Sequence, residues 1–572
     1  MQIYQKKVIF VIKTYTDMKR FLLVICLAAT AAFTAKAGDG FLKGKVLRID
    51  LKEPIAEVGS SGGMFDIEIP SLPIDIGISG PKLSLLKVEL ALKKAAQDKD
   101  IAMIYLNYDH FSAPMTAVEE IRRYLLEFSQ AGKPVVAYGC GLSNGSYYIA
   151  SAADRVFMHP KGSGSLNGLG SDQYFLKDML DTLGVRVQLI RHGKFKSAGE
   201  MYIRNSMSEE NRRQYEELLG PIWKTMVEEM AASRGVSAEE LNTWVNTLAL
   251  GTADTWIEKG LVDGLKYKDE MEQYICHLFG TTDPKEVKRI DLKDYLSDVK
   301  MGSGKKIAVL YADGEISRNG NEVAGEKFAA QVAKLRKDDN VKAVVFRVNS
   351  PGGEVVAADI IRREIELLGK EKPVVASYAS YAASGGYLIS AGCEKIFTDK
   401  YTLTGSIGVF GLIPSFGDAA SKVLKVNFEH VGTTPHSGMG NGINGLSAEE
   451  EAWYQKEIEQ IYNDFVGVVM DGRGKTYEQV DDIAQGRVWS GINALELGLC
   501  DRQGGLLDAI DYAAEKAGLS KYKIVIAPEQ KKGGLLGSGK KDKDKPLVLV
   551  QSIIEEPGYK CMAIMDYFKL GF

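Results

Sequence analysis

The sequence predicts an α/β fold that is present twice in a chain of 572 residues. Short β-branched runs alternate with amphipathic helical patterns, as where an apolar run at 341–348 precedes a helical pattern at 355–368. A second observation is an internal repeat with an offset of 240 residues, which relates 101–106 to 341–346. Since strand–helix–strand units with short connections build parallel sheets covered by helices, each copy is predicted to hold a largely parallel sheet.

The repeat keeps nearly the same offset over a long block. The sequence KPVVA occurs at 133–137 and again at 372–376, and the small slips in offset fall in predicted loops. A period of this length is far longer than that of a solenoid, so it indicates a duplicated domain. The second copy is predicted to contain strands at 307–311, 341–348, 373–376 and 395–398, with helices at 328–335, 355–368 and after Ser384. Long helices near the ends of the copies are predicted at 208–234 and 447–472.

These patterns divide the chain into a leader at 1–40, an N-terminal copy at 41–279, a charged irregular linker at 280–304, a C-terminal copy at 305–527 and a flexible tail at 528–572. The leader is interpreted as a signal peptide or membrane anchor, because Met18-Lys19-Arg20 precedes an apolar run and Ala35-Lys36-Ala37 fits a cleavage site. We therefore expect an exported protein, either released or tethered to the membrane. The tail is rich in Gly and Lys, and its segment 547–554 either adds an edge strand or stays loose.

Composition argues against several classes of function. The net charge of −4 gives no reason to expect a nucleic-acid partner. The six cysteines are scattered without a CxxC pair, and the six histidines form no HExxH motif. We therefore expect no metal site.

The stretch from Ser377 to Tyr387 carries the first candidate for chemistry. A predicted strand runs into small residues and ends on Ser384, which is followed by two glycines and a helical pattern. A serine at this point meets unpaired backbone N–H groups and the positive end of a helix dipole, and small neighbours let a substrate backbone approach. The position suits a nucleophile whose attack generates an oxyanion. The plainer alternative is a serine N-cap on a packed helix.

The two copies differ at a second strand end. The C-terminal copy has NSPGG at 349–353, whereas the N-terminal copy has DHFSA at 109–113. Two glycines at the end of a strand expose backbone N–H groups, which suits contact with an oxyanion or a substrate backbone. A plain turn is the alternative for this motif.

A serine nucleophile needs a base within hydrogen-bond reach. The repeat aligns Ser384 with Asn144 and Lys196 with His436, so one copy keeps a serine and the other keeps a lysine. The pKa of lysine is about 10.4 in water, and full burial lowers it by roughly 3–5 units, which makes a buried Lys196 a workable base. A surface cation is the alternative for Lys196. His436, with His430 nearby, remains a rival base on sequence alone.

Three motifs taken together resemble the signal peptide peptidase A family, serine proteases of the ClpP/crotonase-like superfamily. They are NSPGG at 349–353, AASGGY at 382–387 and LTGSIGV at 403–409. The two-copy layout resembles the long form of that family over roughly residues 41–527. The resemblance implies a tandem duplication of a ClpP/crotonase-like domain and no organic cofactor.

The resemblance also implies roles for individual residues. Ser384 is then the nucleophile, and Lys196, given by the other copy, is the general base. The backbone N–H groups of Gly353 and Gly385 form the oxyanion hole, and Ser406 helps to hold the lysine. In the long form, active sites arise between the halves and between the subunits of a bowl-like tetramer, which leaves pairing within or between chains open here.

Lys194 lies two residues before Lys196, and the family pattern favours Lys196. We expect a membrane-associated serine endopeptidase that degrades cleaved signal peptides and other apolar peptides, facing the periplasm or extracytoplasmic space. The expected partners are peptide substrates, further copies in a homotetramer, and a membrane surface. Other classes also remain: an inactive membrane-surface scaffold of the same fold, a crotonase-like enzyme acting on acyl-CoA, and a Ser/His hydrolase using His436. The A-x-A site departs from the uncleaved anchor usual in the long form, which leaves tethering open.

Overall fold

The structure is a computed structural model that describes residues 41–50, 53–59, 82–109, 113–320, 322–527 and 561–564. The predicted leader at 1–40 and the predicted strand at 547–554 lie outside the described residues. Among the described residues no helix is both long and apolar enough to cross a bilayer. This same part of the chain contains no group of three or more His, Cys, Asp or Glu side chains arranged to hold a metal ion.

The first half alternates strands and helices as the sequence predicts. Its elements are β1 (Lys45–Asp50), β2 (Ile55–Ala56), β3 (Leu83–Ser84), α1 (Leu85–Gln97), β4 (Ile101–Asn107), α2 (Met115–Gln130), β5 (Val135–Leu142), α3 (Asn144–Ala150), β6 (Arg155–Gly164), α4 (Lys177–Leu183), β7 (Arg186–His192), α5 (Glu200–Ile203), α6 (Glu209–Arg234), α7 (Ala238–Asn246), α8 (Ala253–Glu258), β8 (Gly264–Leu265), α9 (Lys268–Leu278), β9 (Arg289–Asp291) and α10 (Leu292–Ser297). The last two elements lie in the segment predicted to be an irregular linker, which is therefore wrong for 289–297. Three residues suffice for β9 because it pairs with the edge of β1, a contact that sequence periodicity does not reveal.

The second half repeats this order and adds strands near its candidate site. Its elements are β10 (Lys305–Asp313), β11 (Ile316–Ser317), β12 (Val323–Ala324), α11 (Gly325–Lys337), β13 (Val341–Ser350), β14 (Gly352–Glu354), α12 (Val355–Gly369), β15 (Val374–Ala383), α13 (Gly385–Leu388), β16 (Lys395–Thr398), β17 (Leu403–Gly405), β18 (Val409–Ser415), α14 (Gly417–Ala419) with a π-helical turn (Ala420–Leu424), α15 (Ala448–Arg473), α16 (Tyr477–Ile483), β19 (Val488–Ser490), α17 (Gly491–Glu496), β20 (Arg502–Gln503), α18 (Leu506–Lys516), β21 (Tyr522–Ala527) and β22 (Cys561–Ile564). The strands and helices predicted here from periodicity are all present, with ends that differ by a few residues.

Each half is built on its own sheet. The first sheet has the order β8-β6-β5-β4-β1-β9 and all its pairs are parallel. The second has the order β19-β17-β15-β13-β10-β21, with β16 beside β15, and is parallel except where β19 meets β17. Buried β-branched residues fill both faces of the central strands, as expected when helices cover a parallel sheet on each side.

A third sheet joins the two halves. Its order is β12-β11-β14-β22-β18-β7, so it combines a strand of the first half, β7, with strands of the second. The β7–β18 pair is antiparallel over seven residues, from Val409 opposite His192 to Ser415 opposite Arg186. The sheet fixes the end of β7 against the second half, which determines where the loop after β7 lies.

Equivalent hydrogen bonds in the two halves make the duplication visible. Lys133 Nζ donates to the carbonyls of Ala95 and Asp98, and Lys372 Nζ donates to those of Leu335 and Asp338. The long helices α6 and α15 are each 26 residues long; each starts at a serine N-cap and ends at a left-handed glycine. The halves are therefore copies in hydrogen-bond detail as well as in order of elements.

The halves also share a core. One hydrophobic cluster combines Leu47 and Val118 of the first half with Val309, Val345 and Leu506 of the second. A buried ion cluster crosses the same interface, where Arg347 of β13 pairs with Glu57 and Glu120 of the first half. The interface is therefore packed like a domain interior.

Part of the predicted flexible tail is regular structure. Residues 561–564 form β22 between β14 and β18, and the rest of 528–572 lies outside the described residues. A four-residue run gives little periodicity, and the two strands that accept it are distant in sequence. The tail prediction is therefore wrong for these four residues.

Candidate active site

Ser384 stands at the junction between β15 and α13 with an unusual backbone. Its φ is 55° and its ψ −118°, a region that residues with side chains rarely adopt, and its side chain makes no capping hydrogen bond. The backbone N–H of Ser384 donates to the Gly405 carbonyl at 2.8 Å. Strain of this kind persists where surrounding structure enforces it, and it is concentrated at functional sites. The N-cap alternative for Ser384 is therefore disfavoured.

Lys196 reaches Ser384 from the other half of the same chain. Its Nζ lies 2.8 Å from Ser384 Oγ, 2.9 Å from Ser406 Oγ and 3.1 Å from the Ser406 carbonyl. The side chains are buried, since Ser384 is 0% and Lys196 1% exposed. The surface-cation alternative is therefore wrong for Lys196. The structure brings three of the predicted site residues together: Ser384, Lys196 and Ser406.

The loop that carries Lys196 docks on the second half. It follows β7 directly, and the Phe195 N–H donates to the Gln485 carbonyl at 2.9 Å. Gly486, with φ 78°, packs so closely that a Cβ added to it would lie 2.6 Å from the backbone nitrogen of Lys196. Only glycine fits this approach without moving the loop. The position of the lysine thus depends on contacts some 290 residues away in sequence, from 196 to 485–486.

Contacts within the first half also hold the turn that carries Lys196. Arg191 Nη1 donates to the Lys196 carbonyl at 2.5 Å and lies 3.3 Å from Glu200 Oε1. The Glu200 carboxylate is buried and also accepts from the Ser208 N–H at 3.2 Å. A charge-assisted bond to a carbonyl is stronger than a neutral one, so this arginine fixes the turn effectively.

The glycines predicted to form an oxyanion hole lie in β14 and at the start of α13. Gly353 is in β14 with φ 154°, and a Cβ there would lie 1.8 Å from the Ile316 carbonyl oxygen. Gly385 is the first residue of α13, and a Cβ on the next residue, Gly386, would lie 2.4 Å from the Ser350 carbonyl oxygen. Both glycine pairs permit a backbone approach that larger residues would block. The plain-turn alternative for the Pro-Gly-Gly motif is disfavoured, because Gly352–Glu354 form β14 of the joining sheet.

The rival bases are occupied elsewhere. His436 is 48% exposed and its Nδ1 lies 3.2 Å from Glu450 Oε1. His430 Nε2 lies 3.0 Å from Ser437 Oγ. Lys194 is exposed and sits over the Phe195 ring. The geometry therefore favours Lys196 over each of them as the neighbour of Ser384.

Sequence reasoning missed four residues that position the lysine: Arg191, Glu200, Gln485 and Gly486. The signals that were present are weak, because an isolated Arg or Glu is common and a single Gly marks many kinds of turn. Their roles become evident only once the β7–β18 pairing places the two segments together.

Comparisons with known proteins identify relatives of this chain. The model of "Peptidase family S49" matches residues 127–278 and 366–520, once in each half. Protease 4 of Salmonella typhi is 35% identical over 455 residues, covering 77% of this chain and 73% of that protein. The chloroplastic serine protease SPPA of Arabidopsis thaliana is 33% identical over 463 residues, covering 78% and 68%. An Enterococcus faecium protein whose name describes a signal peptide peptidase SppA is 32% identical over 238 residues, covering 39% and 67%.

Proposed function

Because this chain belongs to peptidase family S49 and is a serine protease, we propose that Ser384 and Lys196 form its catalytic dyad. The observation that carries the proposal is the 2.8 Å distance from Lys196 Nζ to Ser384 Oγ. Burial disfavours a charged ammonium and so favours the neutral amine that accepts a proton. The strained backbone of Ser384 holds the hydroxyl in place against the lysine.

The proposed reaction is acyl transfer to the serine followed by hydrolysis. Lys196 takes the proton of Ser384 Oγ as the oxygen attacks the peptide carbonyl. The N–H groups of Gly353 and Gly385 stabilise the oxyanion of the tetrahedral intermediate. Lys196 then protonates the leaving amine. A water molecule, deprotonated by the same lysine, attacks the acyl carbonyl, and the lysine returns that proton to Ser384 Oγ as the acyl group leaves. Ser406 orients the amine through its hydroxyl and carbonyl.

We propose apolar peptides, among them cleaved signal peptides, as substrates, and a site of action outside the cytoplasm at a membrane. The name of the Enterococcus faecium relative and the predicted leader support this assignment. An exposed apolar segment supports assembly with further copies, a tetramer in our proposal. Its exposed side chains include Val423, Leu424, Phe428 and Val431, the last 96% exposed. Surface apolar patches of this kind mark contact sites.

Covalent labelling tests the dyad directly. A fluorophosphonate reacts with an activated serine, so the full-length chain should be labelled at Ser384, as read by peptide mass spectrometry. The Lys196→Ala chain should be labelled far more slowly, while the His436→Ala chain should match the unmodified chain. Labelling at another residue, or a loss of labelling in His436→Ala alone, contradicts the proposal. An inactive scaffold would take no label at all.

A further inference from the structure

The connection from α16 to β19, residues 484–487, bonds to both parts of the lysine site. Its Gln485 carbonyl accepts from the N–H of the residue before Lys196 at 2.9 Å. Its Arg487 carbonyl accepts from the Ser406 N–H at 2.7 Å. Ser406 is the residue that holds Lys196 Nζ through its hydroxyl and its carbonyl. The connection therefore fixes the loop of the base relative to the serine that orients the amine.

Gln485 has a backbone conformation that needs support from its neighbours. Its φ is 55°, in the left-handed region that residues other than glycine rarely adopt. Its Nε2 donates to Asp481 Oδ1 at 2.5 Å, and Tyr462 donates its hydroxyl hydrogen to the same oxygen. The backbone N–H of Gln485 donates to the Tyr462 hydroxyl at 3.4 Å. Since such strain persists only where the surrounding structure enforces it, Asp481 and Tyr462 are the groups placed to enforce it here.

Tyr462 is itself held firmly between the two halves. It is fully buried on α15, and burial together with its hydrogen bond to Asp481 raises the pKa of its phenol, which therefore remains a donor. Its ring stacks on the His192 imidazole, with the ring centroids 3.8 Å apart and 21° between the planes. His192 is the last residue of β7, four residues before Lys196. Asp481, Tyr462 and Gln485 thus form one cluster that contacts the lysine loop both at its start and next to the lysine.

The first half has the equivalent helix contact without this cluster. An offset of 239 residues relates Trp223 to Tyr462. The same offset relates Asn242 to Asp481. Trp223 Nε1 donates to Asn242 Oδ1 at 3.1 Å, so in the first half a neutral amide joins α6 to α7. In the second half the acceptor is a carboxylate, which makes stronger hydrogen bonds than an amide and also receives the side chain of Gln485.

We propose that Asp481 is a positioning residue for the general base. With Tyr462 it holds Gln485 in the left-handed conformation. The carbonyl of Gln485 then fixes the loop of Lys196. The inference rests on the proposed function, since it takes Lys196 as the base. Asp481 does not touch the reacting atoms, so its loss slows the chemical step without weakening substrate binding.

Asp481→Ala in the full-length chain tests the inference, with Asn242→Ala as the matched control. Both positions lie within helices, where alanine is well tolerated, and each substitution removes the acceptor of an equivalent helix contact. Asp481→Ala should lower kcat on a fluorogenic apolar peptide about 10–100-fold with KM unchanged, because the base is displaced from Ser384. Asn242→Ala should leave kcat and KM unchanged. An unchanged kcat in Asp481→Ala, or an equal loss in Asn242→Ala, overturns the inference.

Two further variants keep the inference falsifiable if Asp481→Ala folds poorly. Asp481→Asn keeps Oδ1, the oxygen that accepts both hydrogen bonds, so it should retain more of kcat than Asp481→Ala. Adding Gln485→Gly to Asp481→Ala should raise kcat again at least about fivefold, because glycine adopts a φ of 55° without support. If Asp481 only joins two helices, the double variant stays as slow as Asp481→Ala, and the inference is wrong.

These outcomes are distinct from a failure of the dyad. If Lys196 is not the base, Lys196→Ala retains activity whatever the Asp481 variants do. If the inference alone fails, Lys196→Ala is inactive while Asp481→Ala keeps the kcat of the unmodified chain.

Discussion

Ser143 and Ser384 begin equivalent helices in the two halves, and they do so with opposite backbone geometry. Ser143 has an extended backbone, with φ −116° and ψ 178°, and its side chain accepts from the Ser146 N–H in a capping box. Ser384 has φ 55°, makes no capping bond, and places its hydroxyl against Lys196. In the first half the serine therefore caps the helix. In the second half the helix has no side-chain cap, and the serine hydroxyl faces Lys196 instead.

The contrast extends to what surrounds each serine. In the first half Asn144 follows the cap and bonds to the backbone of 167 and 168, which closes the junction. In the second half Gly385 and Gly386 follow, and a Cβ on Gly386 would lie 2.4 Å from the Ser350 carbonyl oxygen, so a glycine is needed for this close approach. A duplicated fold therefore carries its chemistry where one copy departs from the locally favourable arrangement.

Replacing each of these two serines by alanine should give the largest difference in kcat/KM between equivalent positions of the two halves. Ser384→Ala should lower kcat/KM on a fluorogenic apolar peptide by about 10⁴-fold or more, because the attacking oxygen is lost. Ser143→Ala should leave kcat/KM unchanged and cost about 0.5–2 kcal/mol of stability, the usual effect of losing an N-cap.

Thermal unfolding of both chains provides the control for this pair. Ser384→Ala should retain the Tm of the unmodified chain or exceed it, since the substitution removes a hydroxyl from a strained position rather than a cap. Substantial peptidase activity in Ser384→Ala, or its loss in Ser143→Ala, would reverse the assignment of the two junctions.

Substitution of Lys196 and of its neighbour Lys194 should give the next largest difference in kcat/KM. Lys196→Ala should lower kcat/KM by about 10²–10⁴-fold, the range for loss of a general base. Lys194→Ala, two residues away and exposed, should have no effect on kcat/KM. If Lys196→Ala stays active and His436→Ala does not, a Ser/His mechanism replaces the dyad.

Mixing the two inactive chains tests whether the halves cooperate within one chain. Lys196 and Ser384 of the same chain lie 2.8 Å apart, so an assembly of Ser384→Ala and Lys196→Ala chains should show no recovery of activity. Recovery after co-refolding, measured against each variant alone, would mean that the dyad pairs between subunits instead.

A smaller effect is expected at Ser406. Its Oγ lies 2.9 Å from Lys196 Nζ, whereas the repeat places the apolar Leu166 at the same position of the first half. Ser406→Ala should lower kcat about tenfold, equal to one net hydrogen bond of roughly 1.4 kcal/mol. Ser406→Thr, which keeps the hydroxyl, should retain more of kcat than Ser406→Ala. Equal losses in the two variants would indicate a packing role rather than orientation of the lysine.

The difference between the halves also explains what the sequence could predict. Departures from the repeat stand out by comparison of the copies, so Ser384, Lys196 and the Gly352–Gly353 pair were found without a structure. Regular elements such as β13 followed from β-branched periodicity. Arg191 and Gln485 were not predicted, because their role depends on the antiparallel register of β7 with β18, which a single sequence does not specify. β22 was missed for the same reason, since its two neighbours lie far away in sequence.

At the interface between the halves, more buried carboxyl groups from the first half surround Arg347 than this one arginine can neutralise. Arg347 of the second half is fully buried and binds Glu57 at 2.8 Å and Glu120 at 2.7 Å. Glu89, on α1 of the first half, is also fully buried, and its carboxyl group faces that of Glu120, to which it donates a hydrogen bond when protonated. Burial, and then the nearby charge of Glu120, raise the pKa of Glu89 well above its ordinary value. The first half thus brings a surplus carboxyl group to the interface, which is stable there in its protonated form.

Glu89→Gln tests this imbalance through the pH dependence of stability. A raised pKa in the folded state means that the contribution of Glu89 is full below its unfolded pKa, near 4.5, and is lost as pH rises through the folded pKa. The Tm of the unmodified chain should therefore fall, relative to Glu89→Gln, as the pH is raised from 5 to 9, by about 2–4 °C per kcal/mol. Glu57 and Glu120 are present in both chains, so the difference between the two Tm curves reports on Glu89 together with its effect on the neighbouring Glu120. A Tm difference that stays constant over this range would show that Glu89 titrates alike in the folded and unfolded chains, and that the interface carries no surplus proton.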